Sequence, residues 1–237
     1  MRKLIKLQLR NIFHSKLIYI CTTLIILLNP VATLVVSNSF SDIIKNTNIC
    51  GEILSILSVG IIETVFIVLV SCSDFNDGTT KNIIARGYTR NQLLFSKYIA
   101  ILISLLFMHL AGILSAIILL FKNSFGYNTT ILYQIINSVV SIIAYTIFYT
   151  TMSFLLEKNG SGIIACMFVP NLIPTALTLL NKIVPFNITK LWMEHGEEIF
   201  TEKPSLSTLG LSALYYVIYI IIFIIIGTQL LKRKEIK

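Results

Sequence analysis

Six stretches of this chain are apolar over the length that a helix needs to cross a bilayer. About 20 apolar residues in a helix span ~30 Å of hydrocarbon. The strands of a membrane β-barrel would instead alternate apolar and polar residues in runs of about ten. The sequence therefore predicts an all-α membrane protein. Its six spans are Leu17–Ser37, Ile53–Cys72, Leu93–Phe121, Ile131–Leu156, Gly160–Leu180 and Leu209–Leu231.

The composition excludes the other broad classes of protein. The chain is 55% hydrophobic and 13% charged, with a mean hydropathy of +0.83, whereas soluble domains are about 45–50% apolar and about 25% charged. Disorder does not fit so apolar a chain. Four cysteines without a CxxC motif, Cys21, Cys50, Cys72 and Cys166, indicate neither a disulfide framework nor a metal site.

The distribution of lysine and arginine predicts the orientation. Fourteen of the 19 cations lie in the N-terminal arm, the second and fourth connections and the C-terminal tail. Because cytoplasmic loops carry the excess of Lys and Arg, both termini are predicted to be cytoplasmic, in the plasma membrane. The net charge of +8 flanks the membrane spans, so anionic lipid is the expected partner and nucleic acid is not.

The layout is that of one membrane domain. Its segments are an interfacial arm at 1–16, spans at 17–72, a connection at 73–92, spans at 93–180, an outer segment at 181–208, a last span at 209–231 and a basic tail at 232–237. In the arm, Ile5, Leu9, Ile12 and Phe13 share one face of a helix, which indicates a helix lying in the membrane surface. An ordinary charged flank is the alternative.

The connection at 73–92 predicts a turn, a short helix, a second turn and a further helix. Asn76-Asp77-Gly78 is a turn signal, and Asp77 or Thr79 is suited to cap a helix that ends at Ala85 or Arg86. Gly87 suits the left-handed conformation that ends such a helix. Thr89 then caps the helix that leads into the third span.

The short helix is predicted to expose Ile83 and Ile84 to the cytoplasm, ringed by Lys81, Arg86 and Arg90. Apolar side chains at a charged surface are typical of a site that binds another protein. A helix that skims the membrane and is anchored by lipid phosphates is the alternative.

The same connection resembles that of the permease subunits of ABC type-2 exporters. The pattern is carried by Asp74, Phe75, Gly78, Thr79, Lys81, Ile84, Gly87, Thr89, Arg90, Ser96 and Lys97. Asp74 stands where many members have Glu, and Thr80 stands where many have a branched apolar residue. The basic arm ending in Phe13-His14-Ser15-Lys16 resembles the elbow helix of that family, and six spans with a large outer segment match its layout.

The resemblance implies that the short helix is a coupling helix, which inserts into a groove of a separate cytoplasmic ABC ATPase. The implied coupling residues are Asp74, Gly78, Thr79, Lys81, Ile83, Ile84, Gly87 and Arg90. The chain has no GxxxxGK[ST] motif, so ATP and Mg would be bound by the ATPase, and this chain is expected to be no enzyme and to hold no cofactor. A second permease copy or a paralogous permease is the other implied partner.

The size of the chain resembles that of permeases that expel antimicrobial peptides or protect against them, as in lantibiotic or bacitracin immunity and multidrug efflux. The implied function is to move or clear an antimicrobial peptide, a drug or another amphipathic substrate from the cell membrane. A non-transporting scaffold or sensor, whose cytoplasmic helix recruits a regulator, is the alternative. An ion-driven transporter predicts several charges within the spans and an internal repeat.

Two features inside the spans are candidates for a translocation path or gate. Glu63 is the carboxylate within the second span, where a charge is unfavourable unless it is paired or hydrated. Pro170 and Pro174 are predicted to interrupt the fifth span, with the Asn171 side chain available to the freed carbonyl groups. Glu63 as a hydrogen-bonded packing residue is the alternative. The outer segment at 181–208 is expected either to re-enter the outer leaflet, with Trp192 at headgroup depth, or to rest on the surface.

Overall fold

The computed structural model describes residues 1–39, 60–120, 129–156, 158–182, 190, 192, 195–196, 199–200 and 205–233. These residues form helices and turns, without strands, which confirms the all-α prediction for this part of the chain. The helices of at least seven residues are α1 (Arg2–His14), α2 (Lys16–Ser39), α3 (Ile61–Asn76), α4 (Thr79–Ala85), α5 (Arg90–Leu120), α6 (Thr129–Leu156), α7 (Asn159–Leu180) and α8 (Leu206–Arg233).

Four of these helices, α5 to α8, are long and apolar enough to cross a membrane. The helices α1 and α2 meet at a bend of 64° and supply a fifth span if the pair is counted as one. Membrane-spanning helices need about 20 residues, and α3 has 16. The described residues therefore contain four or five candidate spans, and the count of six stays a prediction.

The helix α3 begins later than the predicted second span. Gly60 has an extended backbone (φ −82°, ψ −171°), so the helix starts at Ile61 and the prediction of one continuous helix from Ile53 is wrong at Gly60. Residues 53–59 lie outside the described residues. Glu63 is the third residue of α3, and its carboxylate interacts with the backbone N–H groups of Gly60 and of Glu63 itself. A carboxylate at this position satisfies N–H groups that have no partner within the helix.

The two prolines of α7 do not end it. The helix is continuous from Asn159 to Leu180 with Pro170 and Pro174 inside it, so the predicted interruption is wrong. Polar side chains bond the carbonyl groups of this region: Asn171 Nδ2 donates to Met167 O at 2.9 Å and Thr178 Oγ1 donates to Pro174 O at 3.1 Å. The carbonyl groups that lose an N–H partner to the two prolines are those of Cys166 and Pro170, four residues earlier, so these two bonds do not replace the missing ones.

The helices pack around one main core. The most extensive contacts between helices are those of α6 with α8, of α5 with α2 and α1, and of α3 with α7 and α6. Two glycines permit close approach of helices: a Cβ at Gly162 would lie 2.8 Å from Val68 Cγ1, and one at Gly227 would lie 2.7 Å from Tyr98 Oη. Small residues at such crossings are typical of membrane helix bundles.

The buried face of α1 overlaps the predicted one only in part. Ile12 is buried and Leu9 and Phe13 pack against the core, as predicted. Leu4 and Gln8, which fall outside the predicted stripe, are also buried. The reason is tertiary, because α1 lies against α5 over much of its length. The buried face of α1 is therefore set by its neighbours as well as by its own amphipathic pattern.

Most of the segment at 181–208 lies outside the described residues, but Trp192 does not. Its ring makes edge contacts with Phe148 of α6 and Tyr219 of α8, at centroid distances of 6.0 and 5.9 Å. Trp192 and Phe200 are both buried. Trp192 therefore does not rest on the surface; it packs between two helices of the bundle.

Candidate functional site at the buried ion pair

The helix α4 and its two turns follow the prediction for 73–92, except at the cap. The helix ends at Ala85, and Gly87 has a φ of +87°, which confirms both predictions. The N-cap is Gly78, with a φ of +65°, and no side chain caps the helix, so the prediction of Asp77 or Thr79 as the cap is wrong. A residue with a Cβ is strained at these φ values, which explains glycine at both turns.

Thr89 and Gln92 start the helix α5. Gln92 N–H donates to Thr89 Oγ1 at 3.2 Å, and Thr89 N–H donates to Gln92 Oε1 at 3.1 Å. This reciprocal pair is a capping box, in which each side chain satisfies a backbone N–H of the first turn. It confirms the prediction that Thr89 caps this helix.

Three buried polar side chains meet where α1, α3 and α5 converge. Lys97 Nζ lies 2.8 Å from Asp74 Oδ2 and donates to Gln8 Oε1 at 3.1 Å, while Gln8 Nε2 donates to Asp74 Oδ2 at 2.8 Å. The Asp74 and Lys97 side chains are 9% and 2% exposed. We refer to these three residues as the Gln8–Asp74–Lys97 network.

Burial makes this network different from a surface ion pair. Exposed pairs contribute about 0–1 kcal/mol, whereas two charges withdrawn from water are stable together only with good geometry and further hydrogen bonds. Gln8 supplies those bonds by donating to the carboxylate and accepting from the ammonium. The carboxylate lies in the last turn of α3, where the helix dipole is unfavourable to an acid, so its partners stabilise it.

Asp74 also holds the helix α4. Its backbone carbonyl accepts hydrogen bonds from Thr80 Oγ1 at 2.9 Å and from Thr79 Oγ1 at 3.2 Å. Because both hydroxyl groups donate to this carbonyl, neither caps α4. The same bond satisfies the hydroxyl group of Thr80, which is buried at a position where a branched apolar residue was expected. Asp74 therefore connects four helices, with its side chain bonded to α1 and α5 and its backbone bonded to α4.

Ile83 faces the protein. It is 5% exposed and packs in a small cluster with Leu4 of α1 and Leu93 of α5, beside the partly buried Tyr88. The prediction that Ile83 and Ile84 are both exposed is therefore wrong for Ile83, while Ile84 is half-buried. The physical reason is that a two-turn helix gains more by burying one isoleucine against α1 and α5 than by exposing both.

The Arg90 side chain bonds the C-terminal end of α8. Its Nη1 donates to Leu231 O at 2.7 Å and to Lys232 O at 3.2 Å. These carbonyl groups belong to the last turn of α8, where the intrahelical N–H partners have run out. Arg90 thus ties α5 to the end of α8, and the prediction that it rings the exposed face of α4 is wrong.

Replacing Arg90 with glutamine should loosen the last turn of α8. Loss of a charged donor from two carbonyl groups corresponds to about 1.5 kcal/mol, so we expect roughly tenfold faster hydrogen exchange of backbone amides near Leu231. Hydrogen exchange with mass spectrometry on the full chain in detergent measures this. The matched control is Arg86→Gln, because Arg86 is exposed. Equal rates in the two variants would contradict the role of Arg90.

The exposed surface of α4 is formed by other residues. Lys81, Asn82, Ala85 and Arg86 are exposed, and Lys81 and Ala85 are one helical turn apart. With the half-buried Ile84, they leave an accessible surface that is basic at one edge. We refer to Lys81, Ile84 and Ala85 as the α4 surface.

A second polar pair lies deeper in the bundle. Glu63 of α3 is 7% exposed and interacts electrostatically with His109 of α5, which is 5% exposed. His109 Nδ1 bonds Leu105 O at 2.8 Å, and its Nε2 has no hydrogen-bond partner in the part of the chain that the structure describes. Among the described residues, no group of three His, Cys, Asp or Glu side chains is placed to hold a metal ion.

The structure adds two residues to the site that the sequence prediction did not assign to it. Lys97 lies within an apolar helix and Gln8 lies between Leu4 and Ile12 on the buried face of α1. A charge in an apolar span requires a partner, and a glutamine on an apolar face requires one as well. The lysine in an apolar span and the glutamine on an apolar face are both visible in the sequence, but neither indicates which residue is its partner.

The long apolar helices, the proline tolerated within α7 and the glycine contacts define the class as a helical membrane protein. The model of one protein family, described as a protein of unknown function (DUF2705), matches residues 32–237. The chain belongs to that family. No curated protein matches the chain.

Proposed function

We propose that this protein is the permease subunit of an ATP-binding cassette exporter, with α4 as its coupling helix. The observation that carries the proposal is the position of Asp74, whose backbone holds α4 and whose side chain holds α1 and α5. A force applied to α4 is thereby passed to three other helices through short, buried contacts. The sequence resemblance in 73–92 supports the same reading.

The mechanism is force transfer from a cytoplasmic ATPase. ATP and Mg are bound by that partner, and closure of the ATPase dimer pushes on the α4 surface. The push passes through Thr79 and Thr80 to Asp74, and from Asp74 to Gln8 and Lys97. Because α3 and α5 then move together, the far ends of both helices tilt and open a path. This chain contributes no chemical step of its own.

The coupling residues have distinct roles in this proposal. Lys81 and Ile84 contact the ATPase, with Ala85 beside them. Gly78 and Gly87 form the left-handed turns before and after α4. Ile83 anchors α4 on α1 and α5, and Arg90 joins α5 to the end of α8, so both act from inside the permease.

Glu63 and the stretch from Pro170 to Pro174 are proposed as parts of the path or gate. Gly162 of α7 lies beside Val68 of α3, and helices rise about 1.5 Å per residue. Counted from that contact along the two helices, Glu63 and Pro170 lie within about one helical turn of the same depth. An acid and the exposed amide of Asn171 near that depth favour a polar group of an amphipathic substrate.

The assembly would contain a second permease copy or a paralogous permease, two ATPase subunits and surrounding lipid. Both termini and α4 would face the cytoplasm, and the complex would lie in the plasma membrane. The substrate class, an antimicrobial peptide or a similar amphipathic molecule, rests on the resemblance alone.

Charge reversal on the α4 surface tests the proposal. We expect Lys81→Glu to reduce the amount of co-purified P-loop ATPase roughly tenfold, because a like charge replaces an attractive one at the interface. Purification of the tagged chain from its native membrane in mild detergent, followed by mass spectrometry and an ATPase assay, measures this. Lys158→Glu is the matched control, since Lys158 is exposed on another predicted cytoplasmic connection.

The same experiment separates the exporter from the scaffold or sensor alternative. If the unaltered chain retains no P-loop ATPase under conditions that preserve a known ABC complex, the exporter proposal is rejected. A regulator lost on Lys81→Glu, in the absence of any ATPase, would then identify α4 as the recruiting helix of a scaffold.

A further inference from the structure

A cavity of about 110 Å³ adjoins the Gln8–Asp74–Lys97 network. It lies between α1, the start of α2, the end of α3 and the start of α5. Its polar wall is formed by Gln8, Asn11, Ser15, Ser73, Asp74 and Lys97. A cavity that exceeds the volume of one water molecule several times and is lined in part by polar side chains is large enough for a small charged group.

The two buried charged groups do not use all of their hydrogen-bonding capacity within the network. An ammonium group has three donors, and Lys97 uses two of them, on Asp74 and Gln8. Asp74 Oδ2 accepts both of the bonds made by its carboxylate, and Oδ1 has no hydrogen-bond partner among the described residues. Lys97 and Asp74 both line the cavity, and one N–H donor of the ammonium and one oxygen of the carboxylate are not used within the network.

The serines add acceptors and the asparagine adds donors. Ser15 Oγ donates to Ile12 O and Ser73 Oγ donates to Val70 O, each at 2.9 Å, so both oxygen atoms keep free lone pairs. Asn11 is exposed and lines the cavity. A ligand that fits this wall has N–H donors for Asp74 and the serines, and an oxyanion for Lys97 and Asn11.

The remainder of the wall is apolar. Leu17, Leu69 and Val70 line the cavity together with Ile12. Helix α1, which meets α2 at 64°, is predicted to lie in the membrane surface, and that prediction puts the cavity at the depth of lipid head groups. The basic residues Arg10 and Lys16 adjoin the wall residues Asn11, Ser15 and Leu17 in the chain. A phosphate group attached to hydrocarbon chains suits these surroundings.

We propose that this cavity binds the head group of a phospholipid that carries a primary ammonium group, as phosphatidylethanolamine does. The ammonium donates to Asp74 Oδ1 and the serine oxygens, the phosphate accepts from Lys97 and Asn11, and the acyl chains leave along Leu17 and Leu69. Choline has no N–H donors, and a glycerol head group has no positive charge for Asp74. The site thus selects for the amine as well as the phosphate.

Lipid retention by the purified full chain tests the inference without any ATPase. The chain is delipidated in mild detergent and exposed separately to phosphatidylethanolamine, phosphatidylcholine and phosphatidylglycerol with identical acyl chains, and bound lipid is counted by native mass spectrometry. We expect one retained phosphatidylethanolamine per chain, and roughly tenfold weaker retention of the other two. Equal retention of all three lipids overturns the selectivity for an ammonium group.

Two variants locate the bound lipid. Asn11→Leu removes a donor and narrows the cavity, so we expect it to lower phosphatidylethanolamine retention roughly tenfold. Asn82→Leu makes the same change at an exposed position on α4 and should retain the lipid. Equal retention in the two variants places the lipid elsewhere and overturns the site. If phosphoethanolamine displaces the lipid as well as a lysolipid with the same head group does, the ligand is a soluble phosphate and the lipid assignment fails.

Discussion

The Lys97→Met chain is expected to lose about 3–5 kcal/mol of folding free energy, because the substitution leaves the Asp74 carboxylate buried without its cation. Methionine has nearly the length of the lysine stem, so the loss reports on charge more than on packing. The carboxylate keeps one hydrogen bond, from Gln8 Nε2, and one neutral donor compensates a buried charge only partly. The effect should therefore be far larger than that of losing an exposed pair.

The double variant Asp74→Asn/Lys97→Met is the control. It removes both charges together, and replacement of a complete buried pair by neutral residues is often close to neutral in stability. We expect its stability to lie nearer to that of the unaltered chain than to that of Lys97→Met. Unfolding in mixed detergent micelles, followed by the fluorescence of Trp192, measures all three proteins, since the chain has one tryptophan. A double variant as unstable as Lys97→Met would contradict an electrostatic origin.

Gly227→Leu is expected to destabilise the bundle by about 1–3 kcal/mol or more, because the position has no room for a side chain. Even a Cβ there would lie 2.7 Å from Tyr98 Oη, 3.4 Å from Leu94 Cδ2 and 3.5 Å from Thr151 Cγ2. Tyr98 is buried and its hydroxyl lies 2.7 Å from Thr151 Oγ1, so the ring moves only by breaking a buried hydrogen bond. Helices α5, α6 and α8 meet at this point.

The matched control for that substitution lies in the same helix. Gly210 of α8 is exposed, and a Cβ there would meet no atom within 4 Å. Gly210→Leu should change stability by less than about 0.5 kcal/mol. The same micelle unfolding assay compares the two variants. If both glycines tolerate leucine equally, the close packing of α5 against α8 at Gly227 is not important for stability.

Local features of the chain were predictable to within a few residues. The bounds of α2, α5, α6, α7 and α8 follow from apolar length, and the ends of α4 follow from Gly87 and from the turn before Thr79. The Thr89 cap was predictable because a capping box is local, with partners three residues apart. The start of α3 was not, because Ile53–Cys72 is apolar over the length of a span and the break comes from the extended backbone at Gly60.

The candidate site was predictable only in part. The sequence pointed to Asp74, Gly78 and the helix between 79 and 85. It placed Ile83 on the exposed face of that helix with Arg90 beside it, and both expectations were wrong. A two-turn helix has too few residues for its periodicity to show which face is buried, and α1 and α5 decide it by supplying Leu4 and Leu93. The partner of Arg90 is set by the fold, which brings the last carbonyl groups of α8 to the start of α5.

The sequence by itself determined that this protein is helical, that it is apolar enough for a membrane and where most helices begin and end, because these properties depend on residues close together in the chain. Tertiary structure alone decided that Gln8, Asp74 and Lys97 share one buried network. The partners in that network are separated by 66 and 23 positions along the chain. Their pairing is stabilised by exclusion from water, and that exclusion exists only once α1, α3 and α5 have packed together.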